Sequence, residues 1–168
     1  MCSMKKVGFF LMNKKGFNVL SKLIENKRPI DVVVSSRDKA LKFDYYAEIK
    51  DLCIQNNIRF FDRREDFTTK IESDYIIASE KYDCGNIIVQ KKRKINYPIK
   101  IDQAIEIVSS LFYEAINDVF EVIEKGNSLV GYPQNEKEAT YSLWRNDDDY
   151  SIDLRQDAQD IARFVDAV

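Results

Sequence analysis

Two short apolar runs, Val7 to Leu11 and Ile30 to Val34, stand one helix apart, and this spacing constrains the fold more than anything else in the chain. Each run has the length of a strand, and the β-branched "IDVVVSS" suits a strand buried on both faces. Between them Phe17, Leu20, Leu23 and Ile24 recur at helical spacing, and the pattern stops before "NKRP". Tyr46, Ile49, Leu52 and Cys53 mark a second helix, followed by "IRFFD" and "DYIIA" as further strands. A β-α-β-α-β-β order predicts an α/β fold: a mostly parallel sheet with flanking crossover helices.

The second half changes character. "GNIIVQKKRKI" reads as a long strand from Asn86 whose outer part is basic, ended by Pro98. The most regular segment follows, "IDQAIEIVSSLFYEAINDVFEVIEKG". There Ile105, Val108, Phe112, Ala115, Val119 and Ile123 form one apolar stripe. Asp102 is placed to cap its start and Gly126 to end it. From Leu129 to Leu154 the chain is rich in turn residues and aromatics. A small C-terminal helix, with Ala158, Ile161, Phe164, Val165 and Val168 on one face, closes it. The expectation is one domain, with a core over 1–128 and its extension over 129–168.

With 168 residues, the chain is long enough to bury a core without staples. Its 26 basic and 28 acidic residues leave a net charge of −2, so no general attraction to nucleic acid or to anionic membranes is expected. Cys2, Cys53 and Cys84 are widely spaced and histidine is absent, which argues against a zinc site and for reduced thiols in a cytoplasmic protein. The apolar run Val7–Met12 is too short for a membrane span.

Candidate binding motifs are few. The turn after the first strand, "LMNKKGFNVL", has the single glycine Gly16, against the three of a dinucleotide fingerprint. Asn13, Lys14 and Lys15 stand where an anion could be met, but loop lysines usually meet water. "QKKRKI" reads as a strand emerging into solvent, and "RNDDDY" lacks the alternating ligands of a calcium loop. Two features carry more. One is "DCG", with Asp83 on a turn before a strand. The other is the aromatic and charged stretch from Thr140 to Leu154, in which Tyr141 and Trp144 could stack on a sugar or base.

Together, "EKYDCGNIIVQKK", "GYPQN", "ATYSLWR" and "DYSIDL" resemble the formyltransferase family that uses 10-formyltetrahydrofolate, most closely its branch acting on nucleotide-linked amino sugars. The likeness runs from Tyr82 to Val168, and Lys5 to Ala78 is similar to that family's opening segment in strand order. It implies a Rossmann-like formyltransferase fold, 10-formyltetrahydrofolate as formyl donor and a nucleotide-linked amino sugar as acceptor. In that family an amine attacks the formyl carbon; an Asn and a His stabilise the oxyanion, and an Asp orients the His and helps take up the amine proton.

Asp83 matches the family Asp and is the expected catalytic residue; Asn86 stands where many members carry a second Asp. The family places several dozen residues between the strand resembling "DYIIA" and the Asp turn, carrying the Asn, the His and a folate loop. Here "SDYIIASEKYDCG" runs straight through, so the chain reads as shortened at about 78–82. Losing one oxyanion donor costs about a hundred- to a thousand-fold in rate, and groups that act as a unit fail as a unit. The expectation is therefore a copy impaired in or lacking turnover, with no metal. Its alternatives are a rebuilt active site or a non-catalytic partner of a full-length relative. The shortening should also expose a sheet edge at the strand from Asn86, and with it favour a homodimer.

Overall fold

The computed structural model describes residues 5–37, 43–62, 73–77, 85–140 and 147–167. Its first half follows the expected alternation: β1 (Val7–Phe10), α1 (Asn13–Glu25), β2 (Ile30–Val34), α2 (Tyr46–Gln55), β3 (Arg59–Phe61) and β4 (Tyr75–Ile77). The four strands form one parallel sheet in the order β3-β2-β1-β4. Doubly wound α/β sheets begin in this order, and the reversal beside β1 is where such sheets leave a crevice at their carboxyl ends.

Strand pleating sorts the apolar residues onto two faces. Val7, Phe9 and Val33 point to a cluster completed by Val19, Leu20 and Leu23 of α1 and by Ile49 and Cys53 of α2. Val32 and Val34 point the other way and gather Phe10 and Phe61. The middle of β2 is thus buried on both sides, as its unbroken β-branched run requires.

The long helix α3 (Ile101–Glu124) adds Ile116, Phe120 and Ile123 to the first cluster. Pairs made by Lys14 with Asp102, Asn18 with Glu106 and Arg28 with Glu124 show that α3 runs parallel to α1. Arg28 fixes the far end: its Nε donates to Asn117 at 2.8 Å, and its guanidinium lies 5.4 Å from the centre of the Phe120 ring. Phe120 itself meets Phe9 at 6.3 Å between ring centres.

Three expectations need correction. Of the expected stripe on α3, Ile123 is buried and Val119 packs against the core, but the other buried residues are Ser109, Ile116 and Phe120, and Phe112, expected inside, is 54% exposed. Apolar residues cover so much of this helix that periodicity offers two stripes, and packing against α1 chooses the one where Ser109 lets the helices approach. Asp102 does not cap the helix: the Gln103 side chain accepts the Lys100 N–H at 3.1 Å, and Asp102 turns to Lys14. Gly126 does end it, at φ +72, with the N–H groups of Gly126 and Asn127 returning to Ile123 and Val122.

The third correction concerns the long strand expected from Asn86, which does not form. Residues 85–99 run irregularly, with one isolated antiparallel bridge between Ile87 and Tyr132. Lys91 and Arg93 pair with Asp118 and Glu114, so the segment lies along α3 and takes its backbone partners from the turn-rich arm rather than from a sheet edge. That arm holds two short 3-10 turns, Glu136–Glu138 and Asp147–Tyr150. The last helix, α4 (Ala158–Asp166), starts where Asp157 accepts the Gln159 N–H at 2.9 Å, and it buries no residue. No described helix is long and apolar enough to cross a membrane.

Candidate functional site

At the carboxyl end of the sheet the starts of α1 and α3 enclose a cleft of about 520 Å³. One wall is aromatic, Phe43 and Tyr45, just ahead of α2; the facing wall is Ile101, Ala104, Ile105 and Val108 of α3. Asn13, Lys14 and Lys15 close the third side. A smaller cavity of about 230 Å³ adjoins it, between the end of β1 and Phe112 and Ile116, and the two share Asn13 and Lys15.

Local chemistry builds this corner. Asn13 sits in the left-handed region at φ +58, which asparagine tolerates better than most residues, and its Oδ1 accepts the Lys15 N–H at 3.1 Å. Gly16 packs so close to Leu11 that a Cβ would stand 3.1–3.3 Å from Leu11 atoms. The lone glycine of this turn therefore serves helix-to-strand packing. Lys14 does not meet only water, as expected, but bridges to Asp102 at 2.9 Å and Glu106 at 3.7 Å. The hydrogen bond to Asp102 raises its pKa further above the ordinary 10.5. Lys15 has no acidic partner among the described residues.

Tyr45 is fixed by neighbours: its ring lies 5.6 Å from Phe17 and 4.8 Å, edge on, from Phe43. Beside it Tyr46 hydrogen-bonds Asp62, and the Arg37 guanidinium lies 4.6 Å from the centre of its ring. Burial first, and then Asp62, pushes the Tyr46 hydroxyl above its ordinary pKa of 10.0.

Of the site residues read from sequence, Asp83 lies outside the described residues, as do Tyr82, Cys84, Tyr141, Trp144 and Arg145. Their neighbours are placed. Gly85 accepts a 2.8 Å hydrogen bond from Gln134 Nε2, and Ile87 and Tyr132 exchange backbone bonds of 2.8 and 3.0 Å. Gly131 lies against this pair so tightly that a Cβ would come within 2.7 Å of Asn86 Cβ and Ile88 Cδ1. "GYPQN" and the start of "GNIIV", more than forty residues apart, are thus packed together.

Sequence reasoning missed the cleft itself. The available signal was the surplus of apolar residues on α3: Ile101, Ile105 and Val108 are more than one buried stripe can use. Among the described residues no group of three or more acidic or cysteine side chains could hold a metal. The fold and this corner define a small parallel α/β protein with an open cleft at the carboxyl ends of its strands. Neither a family model nor a curated protein matches the chain.

Proposed function

We propose that this chain is a shortened member of the formyltransferase family, from the branch acting on nucleotide-linked amino sugars, that has lost turnover and retains a ligand-binding role. The observation that carries the reading is the packing of Gly85–Ile88 against Gly131–Gln134, which joins two of the segments on which the resemblance rests. The parallel order β3-β2-β1-β4 supports the Rossmann-like part of it. The absence of histidine supports the loss of turnover, because the family's oxyanion and proton chemistry has no such side chain here. With neither that His nor the folate loop in the sequence, 10-formyltetrahydrofolate does not fit this chain as a reactant, and no transfer step follows from its residues.

Thermal unfolding with folates and nucleotide-linked amino sugars tests the reading. A ligand at a hundred times its Kd adds about 2.7 kcal/mol of stability. A melt raised by a nucleotide sugar, with no formyl product in an assay supplied with both substrates, is the expected result. Formyl product above background that disappears in Asp83→Asn would instead establish a rebuilt active site.

A second reading, a non-catalytic partner of a full-length relative or of its own copy, is favoured by the exposure of Val130, Tyr132 and Leu154, at 69%, 71% and 80%. Among the described strands the sheet edges are β3 and β4, so pairing through a described edge would use one of these rather than a strand from Asn86. Light scattering at micromolar concentration separates the cases: a dimeric mass supports pairing of copies, and a monomeric mass excludes it.

A further inference from the structure

We propose that the cleft between the starts of α1 and α3 binds a planar aromatic carboxylate, with Lys15 and Asn13 meeting the anionic group and Phe43, Tyr45, Ile101 and Ile105 holding the ring. The cleft would take such a ligand whether or not the chain descends from formyl-transferring enzymes.

Size, walls and charge select this chemistry together. A volume of about 520 Å³ falls in the usual range of small-molecule sites, about 300–1,000 Å³. The walls are aromatic on one side and aliphatic on the other, which suits a flat ring between them. Phe43 is 62% exposed although it stands edge-on to Tyr45, and a ring in the cleft would cover it. Tyr45 is held from behind by Phe17, so the wall is in place before any ligand arrives.

The charge left open in the cleft calls for an anionic group on the ligand. Lys14 is engaged by Asp102 and Glu106, which leaves Lys15 as the ammonium without an acidic partner among the described residues. Asn13 lines the cleft as well, with its Oδ1 taken by the Lys15 N–H, which leaves the amide NH2 as its remaining donor. One unpaired ammonium beside the rings matches a single carboxylate.

Two fluorescent dyes with the same rings test this: anionic anilinonaphthalene sulfonate and uncharged phenylnaphthylamine, followed by displacement with naphthoate. The expected result is one saturable site that prefers the anionic dye by about tenfold, a typical value for one charge-assisted hydrogen bond. Lys15→Gln should remove the preference while the uncharged dye binds as before. Ala104→Trp should exclude both dyes, naphthoate should displace them, and Lys125→Gln should change nothing. Should Ala104→Trp fail to fold, Phe43→Ala, at an exposed ring, must weaken both dyes. Equal affinity for the two dyes, a preference that survives Lys15→Gln, or failure of naphthoate to compete would overturn the proposal. None of these outcomes depends on the melt or formyl-product assays that test the family reading.

Discussion

At the scale of single residues, two buried groups are at odds with their surroundings. The Ser35 hydroxyl, just past β2, is buried with no hydrogen-bond partner among the described residues. An unsatisfied buried polar group costs about 1–3 kcal/mol, so Ser35→Ala should hold or raise the melting temperature. A drop in the melt would mean that the hydroxyl has a partner. Cys53 is the other. Burial pushes its thiol from the ordinary 9.0 up to about 12, so its proton leaves more readily in the unfolded chain. Its contribution to stability is therefore complete below about pH 9 and falls as pH rises toward 12. Melts of the parent should decline more steeply between those limits than melts of Cys53→Ala. In a Cys2→Ser, Cys84→Ser background the remaining thiol should react with a disulfide reagent only as fast as the protein unfolds.

At the scale of elements, α1, α2 and α3 end alike: a left-handed residue follows the cap, and two N–H groups fold back onto the last turn. The left-handed residues are Lys27, Asn57 and Gly126, at φ 53, 54 and 72. Only the lysine is badly suited to that conformation. Lys27→Gly should stabilise by roughly 0.5–1 kcal/mol and Gly126→Ala should destabilise by about as much, read from denaturant midpoints at constant slope.

The same scale shows what the sequence made legible. β1, α1, β2, α2, β3 and β4 could be read because local periodicity and tertiary burial agree there; Val32 to Val34 are apolar and buried alike. The strand from Asn86 was misread because "NIIV" has strand-forming residues, but a strand exists only against a partner, and Ile87 finds one bridge at Tyr132. The inward face of α3 could not be chosen from its own residues, since Phe112 and Phe120 fit the helical repeat equally well and α1 decides between them. The cleft was illegible for a similar reason: it joins Lys15, Tyr45 and Ile101, which only the topology brings together.

At the scale of the whole molecule, Gly131 is a close-packed point at which the turn-rich arm meets Asn86 and Ile88. A methyl group there would meet Asn86 Cβ and Ile88 Cδ1 at 2.7 Å, so Gly131→Ala should cost roughly 1–3 kcal/mol where the arm docks. Limited proteolysis reads this directly. The variant should be cut within the arm faster than the parent, while the sheet with α1 and α2 survives. Equal cutting would mean that the arm is held elsewhere.

The burial of β2 on both faces has a consequence for the clock of the molecule. Val32, Val33 and Val34 are each no more than 3% exposed, and the strand has a parallel neighbour on either side. Their amide protons can reach deuterated water only when the sheet comes apart, so their exchange should be the slowest in the chain and should report the free energy of global unfolding. The amides of residues 88–96, which have no sheet to protect them, should exchange orders of magnitude sooner. One deuterium time course would then mark β2 as the last part of the protein to let go.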